Sequence, residues 1–421
     1  MSTQLRSEES KNLFLPWMIW GTIALFYFYQ FLLRVSPSVI ADDLMRDLNI
    51  HACSLGELAS YYYIGYTTMQ IPVGLLIDRI GIRKPLVCAI LLCVLGCYLF
   101  ATNESYFMLS LGRGLMGIGS AFAFLSCVKS GALWFKPCQL GLLVGLTLML
   151  GTAGGAAGGP GISFMLELMT WRHIFVFFLI VGFLLSILAW YLVKDYSQSG
   201  DNASDTRPLS ILKALHIVLK NPQTYIFGFY GGLMYIPLSA FADMWGTPYL
   251  IEAYQVSKSV AASTVSMMYL GIGLGSPLAA YFSDRLRSHK KVMLIGALLG
   301  MIFMVLCLYI KLSFSIMYIL YFIFGFSLGV QFLAYASVCQ MNPLAISGTA
   351  SAIQNIFAMV SGIIFQPLLG KLLDTVWDGT MVNQTPHYSE ENFVYALTLI
   401  PITLLFAVIL CLIMKETYPQ D

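Results

Sequence analysis

The sequence predicts an all-α membrane protein in which twelve transmembrane helices form two six-helix bundles. Three observations carry this: a charged fraction too low for a water-facing surface, twelve apolar runs of spanning length, and a loop motif repeated half a chain later. Of 421 residues, 58% are hydrophobic and 10% charged, whereas soluble domains carry about 25% charged residues. Lipid must therefore solvate most of the chain. The formal net charge of +2 argues against a nucleic-acid partner.

The 9 cysteines stand singly, with no CxxC pair and no Cys/His cluster of zinc-like spacing. They are expected to pack as small apolar side chains between helices. No Walker-type nucleotide loop and no Ser/His/Asp grouping occurs. The expectation is therefore no cofactor, no metal and no enzymatic activity.

A helix needs about 20 mostly apolar residues to cross the hydrocarbon core. The polar opening MSTQLRSEESKN gives way at Leu13 to a run longer than a signal peptide, with no small-residue cleavage site at its end. It is expected to be a first membrane helix, at about 14–39, rather than a removable leader. Five more runs follow at about 54–77, 85–102, 105–133, 139–166 and 171–193. After a polar stretch come six others, at about 222–250, 258–283, 290–311, 315–340, 346–372 and 391–414. The stretch Lys194–Lys220 holds Ser, Asn, Asp and Gly first, then a short basic amphipathic segment. That composition predicts a linker on the membrane surface. It divides the chain into an N-terminal bundle (1–193), a linker (194–220) and a C-terminal bundle (221–421).

Lysine and arginine placement sets the orientation. With the N-terminus inside, fifteen basic residues fall in inner segments, among them Arg6, Lys11, Lys136 and Arg207, and five in outer ones. Both termini are therefore expected in the cytoplasm of a bacterium, with the lipid bilayer of its inner membrane as the surrounding medium. Three basic residues remain within the membrane: Arg34, Arg113 and Lys129.

The loop after the second run reads GLLIDRIGIRKPL (Gly74–Leu86), and the loop after the eighth reads AAYFSDRLRSHKKVM (Ala279–Met293). Each closes a helix with an Asp-Arg pair, Asp78-Arg79 and Asp284-Arg285, 206 positions apart. A repeated half with a binding site at the interface is a transporter architecture. Gly74, Asp78, Arg79, Gly81, Arg83 and Lys84 resemble the signature loop of the major facilitator superfamily, G-x-x-x-D-R-x-G-R-[KR]. Arg113 to Gly119 (RGLMGIG) is similar to that family's fourth-helix pattern, and Trp171-Arg172 to a pair common at the start of its sixth helix. The second-half loop is a degenerate copy that lacks the first glycine. The resemblance implies alternating access by rocking of two halves. It implies a latch on the cytoplasmic side, with Asp78 near a helix end of the other half and Arg79 and Arg83 pairing across the interface in the outward-open state.

The fifth run contains GTAGGAAGGPG, in which Gly151, Gly155 and Gly159 recur every four residues and form one smooth stripe for close helix packing. Antiporters of the superfamily carry a related motif, but here Gly155 stands for its Ala, and Ser163-Phe164 for its final glycine pair. The departure favours packing over antiport.

Ionisable side chains at bilayer depth cost roughly 2.5–3.5 kcal/mol each, so each is a functional candidate. Counted along their helices, Arg34, Arg113, Glu57 and Asp243 all fall in the outer half of the membrane. The family fold implies that helices one, four, seven and ten line a central cavity, where Arg34, Arg113 and Asp243 could face one another. Arg34 and Arg113 are candidate ligands for a substrate carboxylate, since a guanidinium presents a planar fork of donors. Asp243 or Glu57 is the candidate carrier of a coupling proton. In the structural alternative Arg113 pairs with a backbone carbonyl or Glu57, and Asp243 caps near the surface. The string FLLRVSPSV around Arg34 is similar to Y-x-D-R-V-N-x-S-V of organic-anion symporters, with Leu33 in place of their acid. Lys129 is expected to snorkel to the inner headgroups. Tyr27, Gln30, Tyr62, Tyr230, Gln331, Tyr335, Gln354 and Asn355 lie mid-run and complete the candidate substrate ligands; Tyr61, Tyr63 and Tyr235 are softer candidates of the same kind.

The expected function is secondary active transport of a small polar solute bearing a carboxylate, an amino acid or organic anion, by alternating access and with a proton as coupling ion. In length and early helix-one pattern the chain is similar to small intraphagosomal amino-acid importers of proteobacteria. The aromatic content and helix-five glycines leave export of amphipathic compounds as an alternative. A receptor or scaffold on a transporter fold is the alternative of another class.

Overall fold

A computed structural model describes residues 14–136, 139–195, 211–343 and 346–418. The polar N-terminus with Arg6 and Lys11, Cys138, and the first part of the linker with Arg207 lie outside them. The spans are α1 (Phe14–Val39), α2 in two segments (Ala52–Thr68 and Gln70–Ile80), α3 (Arg83–Thr102), α4 (Tyr106–Trp134), α5 (Leu140–Leu168) and α6 (Trp171–Leu192). The second six are α7 (Pro222–Tyr254), α8 (Lys258–Leu286), α9 (His289–Tyr309), α10 (Phe314–Gln340), α11 (Ser347–Val376) and α12 (Glu390–Ile413). Eleven of these are each long and apolar enough to cross a membrane, α12 with a one-residue interruption at Thr398. The remaining one, α2, is interrupted at Met69. The chain is a multi-pass membrane protein.

Within the first half α1 packs on α5, α4 lies between α2 and α3, and α6 backs α3. The second half repeats this with α7 on α11, α8 on α10 and α9 on α12. The halves meet along two principal pairs, α2 with α11 and α5 with α8. The α5 stripe serves that boundary. A Cβ on Gly155 would sit 2.4 Å from the Tyr269 ring, and one on Gly159 would sit 3.2 Å from the Ala262 carbonyl. Gly151 instead admits the Tyr27 ring of α1. Side chains at these positions would force the helices apart.

Two additions were not foreseen. A short helix, Ala41–Leu48, follows α1, and a hairpin of Met381–Val382 with Thr385–Pro386 precedes α12; they touch each other on the face opposite the chain termini. The basic part of the linker is the helix Ile211–Lys220, packed on α11 and α7.

Helix α7 is not regular. Pro237, which has no N–H to donate, opens a π-helical stretch Pro237–Trp245, at whose end the N–H of Gly246 bonds the carbonyl of Phe241, five residues back. Such widened turns often mark functional positions. This one carries Asp243.

Candidate functional site

Gln30 and Arg34 lie one turn apart on the same face of α1, both buried. The Arg34 guanidinium donates Nη1–H to the Tyr235 hydroxyl of α7 (2.8 Å), a bond between the two halves. Four rings surround it, with centroids 4.5 Å (Phe31), 5.5 Å (Tyr62), 5.7 Å (Tyr63) and 5.5 Å (Tyr66) away. A desolvated contact of this kind contributes about 2 kcal/mol, whereas removing the charge from water costs several kcal/mol. No ion-pairing carboxylate among the described residues meets Arg34, and its Nε–H is buried without a partner. Gln30 accepts from the Tyr62 hydroxyl at Oε1 (2.5 Å), which turns its amide so that Nε2 is likewise unpaired. Two buried donors one turn apart are thus left without acceptors.

Arg113 of α4 is buried too, but its charge is already occupied. Nη1 donates to the Leu33 carbonyl (2.7 Å) and Nη2 to that of Arg34 (3.4 Å), and its guanidinium lies 5.0 Å from the Tyr62 ring. The residue fastens α4 to the turn of α1 that carries Arg34, and places a second positive charge beside it.

Asp243 accepts from the hydroxyls of Tyr63 and Tyr269, one on each carboxylate oxygen. Tyr63 belongs to α2 in the first half and Tyr269 to α8 in the second, so Asp243 bridges the halves. It interacts electrostatically with Arg34 and Arg113 without forming an ion pair with either. The three charges predicted to face one another are thus gathered in one cluster, and Asp243 does not cap near the surface.

Other expected residues divide. Tyr27 packs against Phe31 and Phe124 (centroids 5.3 and 5.7 Å) beside the cluster. Tyr335 donates to Asn355 Oδ1 (2.9 Å), and Asn355 Nδ2 donates to Gln70 Oε1 (2.7 Å), a second polar bridge between the halves. These three are half-buried. Gln331 is buried with Nε2 unpaired. Gln354 donates to the Phe227 carbonyl (3.2 Å) and Tyr230 to that of Met293 (2.9 Å), both packing roles inside the second half. Glu57 stands apart from the cluster: it is exposed, beside Cys53 and the Tyr106 hydroxyl (3.4 Å). Phe31, Tyr66, Gln70 and Tyr269 were missed. Tyr66 was within reach, since it follows Tyr62 by one turn.

In this conformation the aspartate of the signature loop pairs within its own half. Asp78 is bound by Lys129 of α4 (2.7 Å), in its own half, and Lys129 points to that carboxylate. Arg79 and Lys84 are exposed, and a Cβ on Gly74 would meet the Leu125 side chain at an ordinary 3.7 Å. Arg83 lies over the Trp190 ring (4.2 Å). Gly81 has a structural duty. Its φ is +89°, and a Cβ would sit 2.4 Å from Asp195 Oδ1, which accepts from the N–H groups of Ile82 (2.6 Å) and Arg83 (3.0 Å). Asp284 and Arg285 are exposed on α8. At the opposite face Asp47 accepts from Trp171 Nε1 (2.9 Å), Arg172 (2.7 Å) and Arg46 (3.2 Å). Partial burial pushes its carboxyl up, but these bonds together hold it below the usual range. Among the described residues no His/Cys/Asp/Glu group could hold a metal.

Comparison with known proteins agrees with this architecture. The family model described as Major Facilitator Superfamily matches residues 19–365 and 239–421. A hexuronate transporter of Bacillus subtilis (strain 168) is 26% identical over 66% of this chain and 67% of its own. A protein named "Probable galactarate/D-glucarate transporter" of Escherichia coli (strain K12) is 23% identical over 81% and 83%. A bacterial homologue of the human lysosomal transporter Spinster superposes with a TM-score of 0.76 at 16% identity, covering 96% of this chain and 98% of that one. At that identity the likeness concerns the fold.

Proposed function

The chain belongs to the Major Facilitator Superfamily, and from that premise we propose that it is a secondary active transporter of a small organic anion, driven by protons and working by alternating access. The observation that carries this reading is Arg34: a buried guanidinium between the halves, with rings around it, no acid paired to it and an unpaired Nε–H. A carboxylate suits these donors because it accepts a guanidinium fork and a neighbouring amide N–H together. Arg113 adds positive field; its two Nη groups are spent on backbone carbonyls, and its Nε–H is unpaired. The names of the two relatives support a sugar-acid type of cargo. Both oxygens of Asp243 already accept from tyrosines, so an ammonium group would have to share them; this favours an organic anion over an amino acid.

Asp243 is the proposed proton carrier. Tyr63 donates to it from the opposite half, so gaining or losing a proton alters a bond that holds the halves together. Charge on Asp243 also competes with the substrate for the field of Arg34. Tyr235, Tyr335, Asn355 and Gln70 are proposed to line the route from Arg34 to the terminal face. That face is proposed to be cytoplasmic in a bacterial inner membrane, as the fifteen-to-five bias of basic residues implies.

The test is uptake into proteoliposomes. An inward proton gradient should drive accumulation of labelled glucuronate or another small carboxylate, and Arg34→Ala should abolish it. Uptake that survives Arg34→Ala removes the anion-ligand reading. Thermal stabilisation by lipophilic cations alone would replace it with export of amphipathic compounds.

A further inference from the structure

The first turn of α2 has no cap of its own. The preceding residue, His51, makes no capping bond, and the segment HACSLG offers no acid at the start. A helix N-terminus leaves its first N–H groups unsatisfied and carries a partial positive charge. Here the missing acceptor arrives from the other half. Asp374, near the end of α11, accepts from the N–H of Ala52 at Oδ1 (3.2 Å) and of Cys53 at Oδ2 (2.9 Å). The Tyr388 hydroxyl donates to the same carboxylate (2.5 Å) and accepts from Ala52 N–H (3.0 Å).

The surroundings are built for this approach. A Cβ on Gly370, one turn before Asp374, would sit 2.3 Å from the Ala52 carbonyl oxygen, so only glycine lets the helices come this close. The His51 ring packs on Trp377 (5.0 Å) across the same boundary, and Lys258 of α8 reaches Asp43 of the first half (3.3 Å). All of these lie on the face opposite the termini. The signature loop at the terminal face makes no equivalent bridge, since Asp78 is held by Lys129 of its own half.

We infer that Asp374 and Tyr388 form a latch that caps α2 in trans and holds the far face closed, so that opening this face requires the α2 N-terminus to give up its acceptor. The bond is a sum of a carboxylate acceptor, two backbone donors and a helix dipole, and under this proposal it is made only while the far face is closed. It therefore biases the equilibrium between the two faces rather than the fold of either half.

The proposal rests on the two halves moving, and the experiment separates that premise from the latch. Encoded spin-label residues replace Glu104 and Ser315, exposed far-face positions in different halves, in full-length protein reconstituted in lipid. Inter-label distances are measured by pulsed electron resonance. The native protein should show a short and a long population, the short one dominant. Asp374→Asn should raise the long-to-short ratio at least fivefold, and Tyr388→Phe should raise it in the same direction by less. Two native populations left in unchanged proportion by Asp374→Asn overturn the latch alone. One fixed distance under every condition overturns both the latch and the moving halves. Should Asp374→Asn not fold, Tyr388→Phe decides: an unchanged ratio there overturns the proposal.

Discussion

Asp195 and Glu416 do the same work in the two halves: each stands three residues past the last helix of its bundle and caps the start of that bundle's third helix. Asp195 accepts from the N–H groups of Ile82 and Arg83 at the head of α3. Glu416 accepts from His289 N–H (3.0 Å) at the head of α9 and from the Ser288 hydroxyl. The repeat seen as Asp78-Arg79 and Asp284-Arg285 thus extends to the acids that tie each bundle's end to its middle.

Glu416→Gln should lower stability by about 1 kcal/mol, the usual worth of a charged cap. Burial pushes the Glu416 carboxyl up, but Ser288 and the N–H groups of Tyr418, His289 and Thr417 outweigh it and hold it below the usual glutamate range. A lowered value means the contribution is complete above the unfolded value of about 4.3 and disappears as pH falls through the folded one. Melting curves of native protein and variant should therefore be well separated at pH 7 and converge below about pH 4.

Gly81→Ala should destabilise the first bundle by roughly 1–3 kcal/mol, because the residue occupies a positive φ and faces the Asp195 carboxylate where a Cβ would go. Its counterpart in the second half, Arg287, also has positive φ (47°) yet bears a side chain. The acid there engages the equivalent two positions, through the Ser288 hydroxyl and the His289 N–H. The measurement is the melting temperature in detergent. An unchanged value would show that the loop glycine is dispensable to the cap.

The spans, their pairing into halves and the central cluster of charges were legible because lipid imposes strict terms on composition and length. Arg34, Arg113 and Asp243 stood out for the same reason: a charge in an apolar run is costly and needs a partner. What the sequence did not reveal came from geometry with no compositional trace. The π-helical turn behind Pro237 rotates Asp243 toward tyrosines on two other helices, and neither Tyr63 nor Tyr269 differs locally from the other tyrosines of the chain. Glu57 is exposed and away from the cluster, since a position counted along a helix does not specify its face. Asp374 and Asp195 are caps in trans, more than a hundred positions from the helix ends they complete.

Arg34→Lys separates charge from shape. Lysine keeps the positive charge but not the planar fork that spans a carboxylate, and it cannot hold Tyr235 and an anion in the same plane. Uptake should persist with KM raised about tenfold, or ~1.4 kcal/mol, whereas Arg34→Ala should be inactive. Tyr235→Phe, which removes only the hydroxyl that Arg34 engages across the halves, should cost a few-fold. Equal losses in all three variants would mean that Arg34 supports the fold rather than the cargo.

Asp243→Asn tests coupling apart from binding. Asparagine resembles the protonated acid in shape and charge, so the variant should sit permanently in the loaded form. One tyrosine hydroxyl can still donate to its amide oxygen while the other accepts from its NH2 group, and the halves can still pass the substrate between faces. Without a titrating group, however, an inward proton gradient has nothing to act on. Accumulation against a concentration gradient should be lost, while exchange of labelled for unlabelled substrate across proteoliposomes continues at a comparable rate. Loss of exchange as well as accumulation would assign Asp243 to the architecture of the site. Gradient-driven accumulation at native levels would place the coupling proton on another residue.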